Sequence, residues 1–368
     1  MSGSNTRKYY IDNIRWFTVL LVIVYHVIYM FNSVGVISNI DVKGIKEMDY
    51  AEYFVYPWFM CLLFVVAGMS AKYSLSHRSA KEFAKDRAKR LLVPSIAGIF
   101  ILGWIGGWVT NQYIAMFDND ATPVFIKYLV YCICGIGPLW FAHQLFLASM
   151  VLLLIRAIDK KDRLWHLCGK ANIIVILLLV FAVWISSTIL NTPLIEVYRN
   201  GIYIFMFLLG YYLFSHEEIT DKLVKFKIPL LIVAVITGIT YSIYYFGENY
   251  SSQECLQSFF TNAYAWIMIL AIIGCFKAWC NKENKFTNYM TKSNFGFYIL
   301  HYPLMVMLAY LITTYLQLPM ILNYILILVA EIILLPLFYE FIRRIPVLKF
   351  LLLGISSNKK KTKKIKTK

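Results

Sequence analysis

The stretch IRWFTVLLVIVYHVIYMFNSVGVI, residues 14–37, decides the fold class of this chain. Its only basic side chains are Arg15 and His26, and it holds no acidic residue. An apolar run of about 20 residues is what an α-helix needs to cross a bilayer. The run exceeds the apolar region of a cleavable signal peptide and has no small-x-small cleavage site, so we expect it to stay in the membrane as the first span.

Further apolar runs of similar length follow along the chain. They lie near residues 53–75, 91–114, 138–158, 172–190, 201–214, 228–246, 258–279, 294–316 and 320–342. The run at 201–214 is short, and 124–137 could be a half-buried or re-entrant piece that leads into 138–158. Apolar residues make up 60% of the 368-residue chain and charged residues only 15%, whereas a soluble domain is about half apolar and a quarter charged. We therefore predict an all-α, polytopic membrane bundle of about ten transmembrane helices, forming one domain over residues 1–345.

The distribution of lysine and arginine predicts the orientation of these spans. With the N-terminus placed in the cytoplasm, the inside segments hold 30 of the 36 basic residues and the outside loops hold four, Lys43, Lys46, Lys127 and Arg199. Short cytoplasmic loops are enriched in Lys and Arg. The imbalance predicts that both termini are cytoplasmic, which requires an even number of spans.

The net charge of +16 could suggest a nucleic-acid partner. The basic residues are scattered between apolar runs, however, which favours the membrane interpretation and no nucleic acid. Residues 346–368 are predicted to be a cytoplasmic tail, whose segment 359–368 is polybasic and suited to anionic lipid headgroups. The seven cysteines show no zinc-binding spacing, and no ligand cluster for a metal is visible.

Ionisable side chains inside a span are costly and are therefore candidates for function. Arg15 and His26 are eleven residues apart in the first run. At about 100° and 1.5 Å per residue they share one helix face and are separated by about 16 Å along the axis. The spacing places Arg15 at the cytoplasmic boundary and His26 above it, deep in the membrane. A snorkelling arginine and a histidine bonded to a neighbouring helix is the alternative interpretation.

Five segments, in order along the chain, resemble motifs of the acyltransferase 3 family of integral membrane enzymes. The opening, residues 11–26, resembles the family's Asp-x-x-Arg segment with a histidine following the arginine, and residues 64–68 resemble its Phe-rich second-span segment. Residues 87–94 resemble its Arg-x-x-Arg segment running into proline, and residues 139–141 its Leu-Trp-Phe segment. Residues 295–303 resemble its Tyr-x-x-His-x-Pro segment.

The resemblance implies an O-acyltransferase of the bacterial plasma membrane. Such enzymes move an acyl group, commonly acetyl, from cytoplasmic acyl-CoA to a hydroxyl of a cell-surface or lipid-linked glycan, with no tightly bound cofactor. In this interpretation Arg15, Arg87 and Arg90 bind the phosphates of the donor at the inner boundary, because the guanidinium fork matches phosphate geometry. His26 would be the general base that takes the acceptor proton.

Three further ionisable residues are candidates for the same site. His301, on the inner half of its run and two residues before Pro303, is a second candidate catalytic residue. His143 begins its run from the outside and could meet the acceptor. Glu331, in the middle of the last run, could orient a histidine or bind an acceptor hydroxyl, and a buried interhelical bond is the alternative.

The rival function is a transporter or flippase for a lipid-linked sugar or small solute, since intramembrane His, Arg and Glu also suit proton-coupled carriers. Carriers of the common kinds have paired halves with broken helices in corresponding places, and this sequence shows no internal repeat. Transfer from acetyl-CoA by the purified protein separates the two functions. The acceptor and the acyl group, acetyl, succinyl or longer, stay open at this point.

Overall fold

The computed structural model describes residues 7–117, 122–191 and 198–355. The polybasic segment 359–368, predicted to lie against lipid headgroups, is outside the described residues. Within them the fold is helical, with one isolated antiparallel bridge between Asn191 and Arg199.

The helices are, in chain order, α1 (Tyr9–Tyr29), α2 (Asp49–Leu75), α3 (Ala80–Arg87), α4 (Val93–Gly98), α5 (Trp104–Tyr113), α6 (Val124–Cys134), α7 (Trp140–Ile158), α8 (Arg163–Cys168), α9 (Ile173–Ser187), α10 (Asn200–Tyr212), α11 (Glu217–Lys225), α12 (Lys227–Tyr244), α13 (Gln253–Gln257), α14 (Phe259–Trp279), α15 (Lys285–Tyr315), α16 (Met320–Arg344) and α17 (Pro346–Leu353). Two π-helical turns, Ala88–Leu92 and Ile99–Gly103, join α3, α4 and α5 into one continuous helix. The structure therefore confirms the all-α prediction.

Eight helices in the described part of the chain are long and apolar enough to cross a membrane, which makes this a multi-pass membrane protein. Each of the ten predicted runs coincides with a helix, but two of these helices are short. They are α9, with 15 residues, and α10, with 13, which at 1.5 Å per residue span only about 20 Å of a core about 30 Å thick. The count of ten spans and the orientation of the termini stay predictions. The piece at 124–137 forms the short apolar helix α6.

The first run differs from its prediction at both ends. Helix α1 begins at Tyr9 and ends at Tyr29, and residues 30–45 form no helix. Asn32 folds the chain back by donating from its side chain to the carbonyls of Tyr29 and Val36, and Gly35 has a φ of 81° that favours glycine. As a result His26 lies in the last turn of α1, beside the returning segment.

Helix α2 lies at the centre of the bundle, against α1, α10, α12 and α14. Its contact with α10 depends on two glycines. A Cβ on Gly68 would lie 2.0 Å from the Phe207 carbonyl oxygen, and a Cβ on Gly210 would lie 2.0 Å from the Val65 carbonyl oxygen. Small residues allow this close approach of helix backbones in membranes, so the glycine of the 64–68 motif has a packing role.

The contacts between loops show which loops lie together at each of the two ends of the bundle. At one end the start of α1 meets the loop after α14, because the Asn13 side chain donates to the carbonyls of Cys280 and Lys282, and Lys8 pairs with Glu217. At the other end the backbone N–H of Ser33 donates a hydrogen bond to the carboxylate of Asp49. The first end carries segments predicted to be cytoplasmic and the second carries predicted outside loops.

The outer helices present apolar side chains to their surroundings, as expected of lipid-facing surfaces. Large exposed apolar residues are frequent on α9, α12 and α16, for example Leu178, Ile236 and Ile332. Helix α17 packs against α4 and α16, and Lys89 lies over the ring of Phe350 in this helix.

Candidate active site

Two histidines predicted from separate motifs meet between α1 and α15. Nε2 of His301 lies 3.4 Å from Nδ1 of His26, and the ring centroids are 5.2 Å apart. His301 was expected on the inner half of its span. Because α15 begins at Lys285, the residue lies near the middle of this helix, level with the last turn of α1.

Backbone carbonyl oxygens determine which nitrogen of each histidine ring carries the proton in the neutral state. Nδ1 of His301 lies 2.8 Å from the carbonyl oxygen of Tyr298 and 3.2 Å from that of Phe297. Nδ1 of His26 lies 2.8 Å from the carbonyl oxygen of Val22. A carbonyl oxygen only accepts, so in the neutral state both rings carry their proton on Nδ1. Nε2 of His301 is then an acceptor that faces the Nδ1–H of His26.

The remaining nitrogen of His26, Nε2, is the one available for chemistry. Both hydrogen-bond contacts of His26 within the described part of the chain use Nδ1. The assigned tautomer leaves Nε2 with its lone pair. If this nitrogen takes a proton, Nδ1–H stays shared between Val22 O and Nε2 of His301, and these two acceptors stabilise the imidazolium. This arrangement suits a proton acceptor at Nε2 of His26 and a positioning role for His301.

His26 lines a cavity of about 740 Å³, whereas His301 is fully buried behind it and does not. The cavity wall also includes residues of the returning segment, of α7 and α15, and of loops at the second end of the bundle. These wall residues include Gly35, Asn39, Trp140, Tyr198, Arg199, Asn249 and Tyr302. Its size lies in the range of small-molecule sites, and the cavity connects the histidine to the end predicted to face outside.

Aromatic rings hold His26 in place. Its ring makes edge contacts with Tyr25, Tyr29 and Tyr302 at centroid distances of 5.1, 5.6 and 5.1 Å. The Tyr302 hydroxyl donates to Oδ1 of Asn39 at 2.6 Å, and Nδ2 of Asn39 donates to Oγ1 of Thr110 at 2.8 Å. These hydrogen bonds hold the Tyr302 ring in place, and the surrounding rings fix the orientation of the imidazole toward the cavity.

The arginines predicted to bind the donor lie at the other end of α1. Arg15 donates from Nη1 to Asp12 at 3.0 Å and from Nη2 to Ser70 at 2.6 Å. Arg87 is close enough to Arg15 to interact with it electrostatically, and its Nε has no hydrogen-bond partner in the described structure. Arg90 is more exposed and is paired with Asp86 at 2.9 Å. None of these arginines lines the cavity.

The two remaining candidates are placed differently. Nδ1 of His143 lies 3.3 Å from the hydroxyl of Tyr198, a cavity residue, so His143 stands behind the wall. Glu331 is buried, and neither carboxylate oxygen has a hydrogen-bond partner among the described residues. The structure brings Glu331 neither to the histidines nor to the cavity wall.

Sequence reasoning missed several residues of the site. Asn39 lies two residues beyond the first apolar run, in a loop for which no function was predicted, and Arg199 was counted only as an outside charge. Glu52, fully buried beside Tyr250, was not named either; it immediately precedes its run and does not line the cavity. The signal available for Arg199 was its isolation, since outside loops hold few basic residues.

The fold and the cavity define a multi-pass membrane protein in which two histidines contact each other and one of them lines a cavity. A family model described as an acyltransferase domain, Acyl_transf_3, matches residues 8–340, nearly the whole chain. The chain belongs to the acyltransferase 3 family, which confirms the resemblance drawn from the five motifs, and it is a membrane acyltransferase. No curated protein and no solved structure matches it.

Proposed function

We propose that this protein transfers an acyl group, acetyl in the simplest case, from cytoplasmic acyl-CoA to a hydroxyl of a glycan or lipid-linked sugar at the outer face of the bacterial plasma membrane. The observation that carries the proposal is the placement of His26. Its Nδ1 is held by Val22 O and His301, and the ring lines a cavity large enough for a sugar.

The chemical step needs one base and no net proton. Nε2 of His26 takes the proton of the acceptor hydroxyl while the hydroxyl oxygen forms a bond to the thioester carbonyl carbon. The carbon–sulfur bond then breaks, and the imidazolium returns its proton to the leaving thiolate. The products are the acylated acceptor and CoA with a free thiol.

The donor is proposed to enter from the end of the bundle that carries Arg15 and Arg87. A CoA donor is a polyanion on a long, thin arm, and guanidinium groups bind phosphate in a bidentate manner. Arg15 and His26 both lie within α1, so the helix rise separates them by about 16 Å, a length that the pantetheine arm can cover.

The acceptor is proposed to occupy the cavity. The wall offers aromatic faces from Trp140 and Tyr203, and amide groups from Asn39 and Asn249. Such a mixture of apolar area and a few polar groups is typical of sites for small polar molecules.

The test uses purified protein in nanodiscs with radiolabelled acetyl-CoA and a panel of glycan acceptors. We expect label transfer, or slow hydrolysis of acetyl-CoA, in wild type but not in His26→Gln. His166→Gln is the matched control, because His166 is exposed and remote from the cavity wall. A carrier would move solute across proteoliposomes without consuming acetyl-CoA, and that result would contradict the proposal.

A further inference from the structure

Arg199 is a buried cation in the wall of the acceptor cavity. The side chain is 6% exposed and lines the cavity beside Tyr198 and Tyr203. It immediately precedes the first residue of α10, where the partial positive charge of the helix N-terminus adds to its own. The position therefore carries a strong positive potential.

Within the described residues, no acidic side chain neutralises this charge. No carboxylate of the described residues forms an ion pair with Arg199. Its Nη2 donates to the carbonyl oxygen of Leu256 at 3.0 Å, and the guanidinium is also within hydrogen-bonding reach of the Tyr203 hydroxyl. A guanidinium has five N–H donors, and none of its nitrogens is both buried and unpartnered. Donors are therefore left for the cavity.

The other described residues of the wall offer no counter-charge. Among the described residues that line the cavity there is no Asp, Glu or Lys, and His26 is the only other basic side chain. A buried charge without a partner is costly. A ligand that brings a negative charge would remove this cost and would gain charge-assisted, bidentate hydrogen bonds.

We propose that Arg199 binds an anionic group, a carboxylate or a phosphate, of the acceptor whose hydroxyl is acylated. This inference rests on the proposed function, since it places the acceptor in this cavity. It narrows the acceptor class to acidic or phosphorylated sugars, because a neutral sugar would leave the arginine unpaired. Arg199 is then a specificity residue of the acceptor subsite.

The test compares three matched sugars that differ only in charge: methyl glucoside, glucuronic acid and glucose 1-phosphate. Equilibrium binding to the full-length protein in nanodiscs is measured without acyl-CoA by calorimetry and by thermal unfolding. Wild type is expected to bind at least one anionic sugar about tenfold to a hundredfold tighter than methyl glucoside, as a hydrogen-bonded charge pair implies. A preference for only one of the two anionic sugars supports the proposal and identifies the anion.

Variants of Arg199 test whether this residue causes the preference for anionic sugars. Arg199→Gln should bind all three sugars equally, whereas Arg199→Lys should retain a weaker preference. Arg163→Gln, the matched control at an exposed arginine outside the cavity, should behave like wild type. If Arg199→Gln fails to fold, the proposal is still tested by the sugar preference of wild type and by the weaker preference expected of Arg199→Lys.

Equal binding of neutral and anionic sugars by wild type, no binding of any of them, or an unchanged preference in Arg199→Gln would overturn the inference. Binding and transfer are read separately. Arg199-dependent anion binding without acyl transfer would count against the proposed function alone. Transfer to neutral sugars without any anion preference would count against this inference alone.

Discussion

Nε2 of His301 lies 3.4 Å from Nδ1 of His26, and the second histidine accepts where the first can donate. This contact joins the first and last histidine motifs of the chain into one unit. Of the two rings only that of His26 reaches the cavity. We therefore propose different roles for them: His26 exchanges protons with substrates, and His301 positions it.

Substitution of His301 tests the positioning role. We expect His301→Leu to lower kcat about tenfold to a hundredfold, because a misoriented base loses part of the roughly 10²–10⁴-fold that general-base catalysis contributes, with little change in the KM for acetyl-CoA. His301→Gln, whose side-chain oxygen can still accept from His26, should lose less. The measurement is the initial rate of acetyl transfer. Equal, complete loss in both variants would instead make His301 a proton-transfer residue.

The inner arginines should differ in their effect on donor use. Arg87→Ala is expected to raise the KM for acetyl-CoA more than Arg90→Ala, because Arg90 is exposed and already paired with Asp86. Arg15→Lys should also raise this KM, since lysine lacks the planar fork. Steady-state kinetics in acetyl-CoA at saturating acceptor gives the three values. Unchanged KM values in all three variants would reduce these arginines to ordinary cytoplasmic charges.

The packing of α2 against α10 predicts a stability effect remote from the site. Gly68→Ala places a Cβ 2.0 Å from the Phe207 carbonyl oxygen, so a backbone must shift at a cost of about 1–3 kcal/mol. Gly98→Ala is the control, because the atoms nearest to its Cβ would be side-chain atoms of Leu139, at 3.1 Å, and Ile299, at 3.9 Å. Thermal unfolding in detergent should show a lower midpoint for Gly68→Ala alone. Equal midpoints would show that the two helices can separate without loss.

Cysteine labelling tests the topology. In a cysteine-free background, cysteines introduced at Lys43 and Glu248 should react with an impermeant reagent added outside intact cells. Those at Lys85, Lys161 and Lys285 should react only after lysis. A position at Asp118, also predicted outside, lies beyond the described residues. Reaction of Lys43 and Lys85 positions from the same side would refute the orientation derived from basic residues.

The sequence predicted helix positions well because hydropathy is a local property. Each of the ten apolar runs contains a helix, and the site histidines were both named from their motifs. The ends were less predictable: the first run continues to Ile37 in hydropathy, but Asn32 and Gly35 turn the chain after Tyr29. Hydropathy along the sequence does not predict a turn that is formed by hydrogen bonds of a side-chain amide.

The partners of each side chain could not be predicted, because hydropathy does not say which helices touch. Glu331 was a candidate to orient a histidine, yet packing of α1 on α15 gives that place to His301. Arg199 was read as a loop charge, since nothing in its local sequence reveals the cavity that it faces.

The central claim, that His26 is the general base, is tested most directly by His26→Gln. Glutamine keeps donor and acceptor atoms but cannot take a proton at neutral pH. The measurement is the rate of acetyl transfer from acetyl-CoA by purified wild type, His26→Gln and the control His166→Gln, with folding checked by thermal unfolding. We predict a loss of at least about 10²-fold in His26→Gln, as general-base catalysis implies, with normal folding and a normal rate in His166→Gln. Near-normal turnover by folded His26→Gln would contradict the account, since the histidine would then only join two helices.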